Sequence, residues 1–224
     1  MSGSAASLLL LADGRFPAGG YAHSGGLEPT VAAGRVRDVE TLEAFLHGRA
    51  VTTGATLAAF AAAACGAFGE HDDALLGTLD AELDARIPSP AQRATSRGLG
   101  RQFVRAFGAI GPKVPLDRLG RSPHHPLAVG AGACVVGLDR HGAALAVLHD
   151  SVAGPVAAAV RLLHIDPFGA YAALARLAPL VDDLADTAVL DSLGDAADLP
   201  ARGTPLLDIA AEDHAVRQTR LFAS

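Results

Sequence analysis

The chain is short of cysteine. Cys65 and Cys134 are the only two in 224 residues, they stand far apart in sequence, and neither sits in a metal-ligand spacing. That excludes a disulfide-built secreted scaffold and points to a reducing compartment, with the cytoplasm as default. Positive charge is also in deficit: 18 Lys and Arg against 24 Asp and Glu leave a net charge of -6. General nucleic-acid binding and polybasic membrane binding both need a basic footprint, so neither is expected. Long hydrophobic runs are missing too. The best candidate, 127–148, is broken by Asp139, Arg140 and His141, short of the roughly 20 apolar residues that span a bilayer. "SLLLLA" at 7–12 has no basic residue before it and no small-residue cleavage pattern before Asp13 and Arg15, so it reads as core and not as a leader. Internal repeats and linkers rich in serine or charge are absent. β-branched residues are sparse outside 129–136, which disfavours strands.

What remains is a chain half hydrophobic and dominated by alanine and leucine, which favours helices nearly throughout. The expectation is one all-α domain over 1–224, a bundle of about eight to ten helices, with a glycine-rich N-terminal segment at 1–37 and an irregular tail at 191–224. The first helix after the glycine-rich loop is expected to begin at Asp38, and "ATLAAFAAAAC" forms the next. Leu75, Leu76, Leu79 and Leu83 mark an amphipathic helix that stops before Pro88. Ser89, Pro90 and Gln92 form a start signal for a helix over about 90–108. The segments 127–138 and 143–164 read as two helices in preference to a hairpin. Asp166 and Pro167 begin a helix carrying Tyr171, Leu174, Leu177 and Leu180.

The stretch "FPAGGYAHSGGLE" at 16–28 invites chemical readings. A Walker A loop fails because Gly26 and Leu27 stand where lysine and a hydroxyl are required, and no βαβ pattern supports a dinucleotide fingerprint. Ala22, His23, Ser24, Gly25 and Gly26 match a relaxed nucleophile elbow, which makes a serine hydrolase using Ser24 an alternative. The preceding Pro17, Ala18, Gly19 and Gly20 cannot form the buried strand that an elbow needs. His124 and His125 suggest a nickel-binding metallochaperone as a further alternative, but adjacent histidines do not naturally share one ion, so a solvated loop position is favoured and no metal is expected.

Arg93, Arg97, Arg101 and Arg105 recur every four residues, while Leu99, Phe103, Phe107 and Ile110 fall on roughly the opposite helix face. The stripe is a docking surface for an acidic partner, a solvated face, or a partner of the aspartates of 181–200 within the chain.

Five segments in order, "LLLLADGRFPAGGYAHSGGLE", "RATSRGLGR", "HHPLAVGAG", "VAAAVRLL" and "TPLLDIAAEDHAVRQTRLFAS", resemble the UreF family of urease accessory proteins over nearly the whole chain. The resemblance implies an all-helical homodimer without catalytic residues or cofactor. It also implies binding to the UreD (UreH) accessory protein and the UreG GTPase, so that nickel reaches apo-urease. Pro17, Gly19, Gly20, His23, Ser24, Gly25, Gly26 and Glu28 match the family's N-terminal signature. His214, Arg220, Leu221, Phe222 and Ser224 match its partner-binding end, where Phe222 and Leu221 are expected to be apolar anchors of a free tail that orders on docking, the alternative being that Phe222 packs permanently into the chain's own core. Arg161 matches an Arg-Leu pair of the family, which implies a dimer or partner contact, with a local salt bridge as the alternative.

Overall fold

Caps and prolines written in the sequence set where the helices start. The computed structural model describes residues 5–112, 115–218 and 220–223, and among these no strand occurs. In order the helices are α1 (Ala5–Leu11), α2 (Leu27–Ala32), α3 (Val39–Arg49), α4 (Ala55–Gly69), α5 (Asp73–Arg86), α6 (Pro90–Ile110), α7 (His125–Val135), α8 (Arg140–Leu163), α9 (Pro167–Arg176), α10 (Ala178–Asp191) and α11 (Pro205–Ala215). Asp38 Oδ1 accepts the Thr41 N–H at 2.8 Å and the Thr41 hydroxyl accepts the Asp38 N–H at 3.1 Å, a reciprocal box that starts α3 where expected. The side chains of Ser89, Asp139 and Asp166 cap α6, α8 and α9 by accepting first-turn backbone N–H groups.

The interior is built on α4, twelve of whose fifteen residues are buried, and which packs against α7, α8 and α10. Alanine and glycine dominate both α4 and α7, so the helix backbones approach closely and the core is finished by Phe60, Phe103, Leu127 and Leu148. A turn of wider, π-type winding at Ala50–Gly54 joins α3 to α4. There the hydroxyls of Thr52 and Thr53 lie 2.9 and 2.8 Å from Thr204 Oγ1, tying the approach to α11 onto this turn. Val39–Gly69 and Arg140–Leu163 are long and apolar enough to cross a membrane by length and composition, yet 72% and 61% of their most apolar windows are buried within the fold.

Three expectations are corrected. A short helix, α2, precedes α3; it follows Gly26, whose left-handed φ of 86° turns the chain into it. The helix expected to run through Leu180 divides at Leu177, because Pro179 lacks an N–H and fits only a first turn. The tail is not irregular throughout, since α11 occupies its centre, starting at Pro205 by the same proline signal that opens α6 and α9.

Candidate functional site

The glycine-rich loop and the chain's last described residues meet. Gly19 has φ 86°, a left-handed conformation that favours glycine, and lies against the Gln102 side chain of α6. A 3-10 turn, Gly20–Ala22, follows, with Pro17 and Tyr21 exposed and His23 half-buried. Burial holds the His23 imidazole below its ordinary pKa, helped by the nearby His125. Ser24 is fully buried and its Oγ accepts the Glu28 N–H at 3.1 Å. That is the role of a helix-starting serine, and it replaces the exposed nucleophile of the hydrolase reading. Gly25 and Gly26 seat the loop on Pro155 of α8 and Leu207 of α11.

This folding aims Glu28 at the end of the chain. Its Oε1 accepts the Leu221 N–H at 2.8 Å, its Oε2 accepts the Phe222 N–H at 2.9 Å, and Ala22 O accepts the Ala223 N–H at 2.7 Å. His214 Nε2 lies 3.3 Å from Phe222 O and 3.7 Å from Glu28 Oε2. The Arg161 guanidinium stands 4.8 Å from the Phe222 ring centroid, a cation–π contact. Hydrogen bonds to a charged acceptor contribute roughly 1.5–3 kcal/mol each. The tail is therefore clasped within its own fold.

The expected roles at the C-terminus change accordingly. Phe222 is 4% exposed and belongs to the chain's own core, which corrects its assignment as a free docking anchor: ring burial, Arg161 and the Glu28 carboxylate already hold it. Leu221 and Arg220 remain exposed beside it. Ser224 lies outside the described residues.

The arginine stripe divides. Arg97 reaches Asp84 Oδ1 at 2.7 Å, Asp80 Oδ2 at 3.0 Å and Ser122 O at 2.6 Å. Arg93 pairs with Asp84 at 3.7 Å and donates to Ile87 O. These acids lie on α5, not in 181–200. Arg101 and Arg105 are exposed, Arg101 donating to Ser122 Oγ. Burial raises the Asp84 carboxyl pKa, but hydrogen bonds from Arg97 and His124 outweigh it and leave the pKa lowered.

His124, expected in a solvated loop, is fully buried at the start of α7. Its Nδ1 lies 3.0 Å from Ser96 Oγ and its Nε2 3.1 Å from Asp84 Oδ1, so both ring nitrogens are engaged and a nickel role for the pair loses its first ligand. No cluster of three or more metal-ligating side chains occurs among the described residues. Cys65 and Cys134, remote in sequence, are brought within interaction distance between α4 and α7, and burial pushes the Cys65 thiol up to about 12.

Sequence reading missed two features. Glu212 of α11 accepts from the Ser89 hydroxyl and the Ala91 N–H, and Asp208 accepts from Gln92, docking α11 on the start of α6. A cavity beside this seam contains Arg49 and Asp150. The one available pointer was Arg49 itself, a lone cation in a long and mostly apolar stretch.

Comparisons with known proteins point to one family. The UreF family model matches residues 36–178. A urease accessory protein UreF from Mycobacterium sp. (strain JLS) is 42% identical over 219 residues, covering 97% of this chain and 98% of that protein. One from Mycolicibacterium vanbaalenii is 41% identical over 225 residues, covering 99% of each, and one from Mycobacterium tuberculosis (strain H37Rv) is 38% identical over 221 residues, again 99% of each. An all-α fold, a family model matched across its centre and full-length relatives at this identity lead to one assignment: the chain belongs to the UreF family of urease accessory proteins.

Proposed function

We propose that this chain is a non-enzymatic scaffold of urease maturation. Working in the cytoplasm as a homodimer, and with residues 1–224 as one domain, it holds a UreD/UreH-type accessory protein and a UreG-type GTPase in the geometry that passes nickel to apo-urease and regulates that GTPase. The observation that carries this reading is the clasp. Glu28 gathers the glycine-rich loop and the C-terminal residues into one continuous surface on which Tyr21, Arg220 and Leu221 are exposed, and a rigid surface of aromatic, cationic and apolar side chains suits a partner hot spot. Leu206 and Ile209 extend the apolar character along α11. Ser24, built into a helix start, is poorly placed for hydrolysis.

Co-expression with a UreD-type partner tests the reading. Leu221→Ser combined with Arg220→Gln removes the exposed side chains without adding charge beside Glu28 and is expected to abolish co-purification; undiminished capture would remove the clasp as the docking surface. Arg101 and Arg105, the free half of the stripe, are the candidate contact for the GTPase-containing complex. Reversing both charges should weaken its capture without unfolding the chain.

A further inference from the structure

Between the glycine-rich loop and helices α6, α8 and α11 lies a cavity of about 370 Å³, within the range of small-ligand sites. Leu57, Ile87, Leu99 and Leu207 supply apolar walls. One polar group inside it is incompletely used. The Arg49 guanidinium, carried at the start of the wide turn, donates through Nε to Ser151 O at 2.8 Å; among the described residues this is its only hydrogen bond, and it forms no ion pair, so its terminal N–H donors are left for the cavity. His214 is 2% exposed, and its Nδ1 is buried with no hydrogen-bond partner among the described residues. Its Nε2 faces two acceptors, Phe222 O and Glu28 Oε2. Nδ1 is sealed from any water-sized atom, so His214 contributes to the wall and offers the cavity no hydrogen-bonding atom.

These demands are complementary. Arg49 requires an acceptor, best an anionic one, and the walls require hydrocarbon. Asp150 lines the same cavity, and its negative charge favours a monoanion over a phosphate dianion there. We propose that this cavity binds a small amphipathic carboxylate, with its anionic end on Arg49 and its apolar body against Leu57, Ile87, Leu99 and Leu207. Arg220, exposed at the rim, adds attraction at the entrance. The site is independent of the scaffold reading, since it lies beneath the exposed clasp surface and needs no partner protein.

The probe is N-acetyl-leucine, which carries the carboxylate and an isobutyl body. Its binding to the purified full chain is read by saturation-transfer NMR and by the rise in thermal midpoint. Saturable binding is expected, weaker by about tenfold for N-acetyl-leucinamide, which lacks the charge. Ala211→Leu, which fills the cavity, and Arg49→Gln should each weaken binding by about tenfold or more, with circular dichroism reporting that each variant is folded. Equal binding of the acid and the amide overturns the proposal, and so does retention in Ala211→Leu. Absence of binding to the unmodified chain at about 10 mM probe overturns it without any variant.

Discussion

Glu28 and Phe222, 194 positions apart in the chain, are joined by a carboxylate oxygen that accepts the Phe222 backbone N–H at 2.9 Å. The other oxygen of the same carboxylate holds Leu221. The two segments that most distinguish this sequence thus form one structural unit, and the side chains left exposed on it are set by what the clasp consumes.

Replacing Glu28 by alanine removes both acceptors and is expected to cost about 2–4 kcal/mol. Hydrogen exchange at the Leu221 and Phe222 amides should accelerate sharply, while amides of α4 stay protected. Glu28→Gln keeps a carbonyl acceptor for one of them and should fall between.

The Arg161–Phe222 contact is open to a double-mutant cycle. Arg161→Met and Phe222→Leu should show a coupling of about 0.5–1 kcal/mol in urea unfolding. Strict additivity would reduce Arg161 to a bystander.

Arg97→Glu should destabilise the chain by about 1–3 kcal/mol, because it leaves Asp80 and Asp84 facing a like charge beside the buried His124. Arg101→Glu, at an exposed position, should change stability by less than about 0.5 kcal/mol. Urea denaturation of both separates the structural half of the stripe from the free half.

Acidification has a defined sign. The pKa values of His23, His124 and His125 are lowered from 6.5 in the folded chain, in each case chiefly by burial, so below pH 6.5 the unfolded chain binds more protons and stability falls with pH. The contribution is fully present above 6.5 and is lost progressively below it. Thermal midpoints measured between pH 7.5 and 5 should therefore decline, and His125→Gln should flatten the slope. A flat profile for the unmodified chain would mean these rings are not held neutral by the fold.

Most of the helical frame was legible because caps and prolines act locally. Asp38, Ser89, Asp166 and the alanine-rich run each specify a boundary or a face within a few residues, and the structure uses them as written. Pro205 carried the same signal, obscured by the glycines and aspartates that precede it. The site was less legible, since nothing near Glu28 announces a partner at the far end of the chain, and nothing in the spacing of the arginines tells which of them α5 neutralises. His124 shows the limit most clearly: a ring between two prolines looks solvated until Ser96 and Asp84 arrive from other helices.

The contact between Glu28 and residues 221–222 also has a timing. During synthesis, the glycine-rich segment leaves the ribosome long before its counterpart exists, so it waits unfastened while the helices from α3 to α10 assemble behind it. Closure is thereby reserved for a chain whose translation has reached its final described residues, and a prematurely ended product would present an open loop to the cell's proteases.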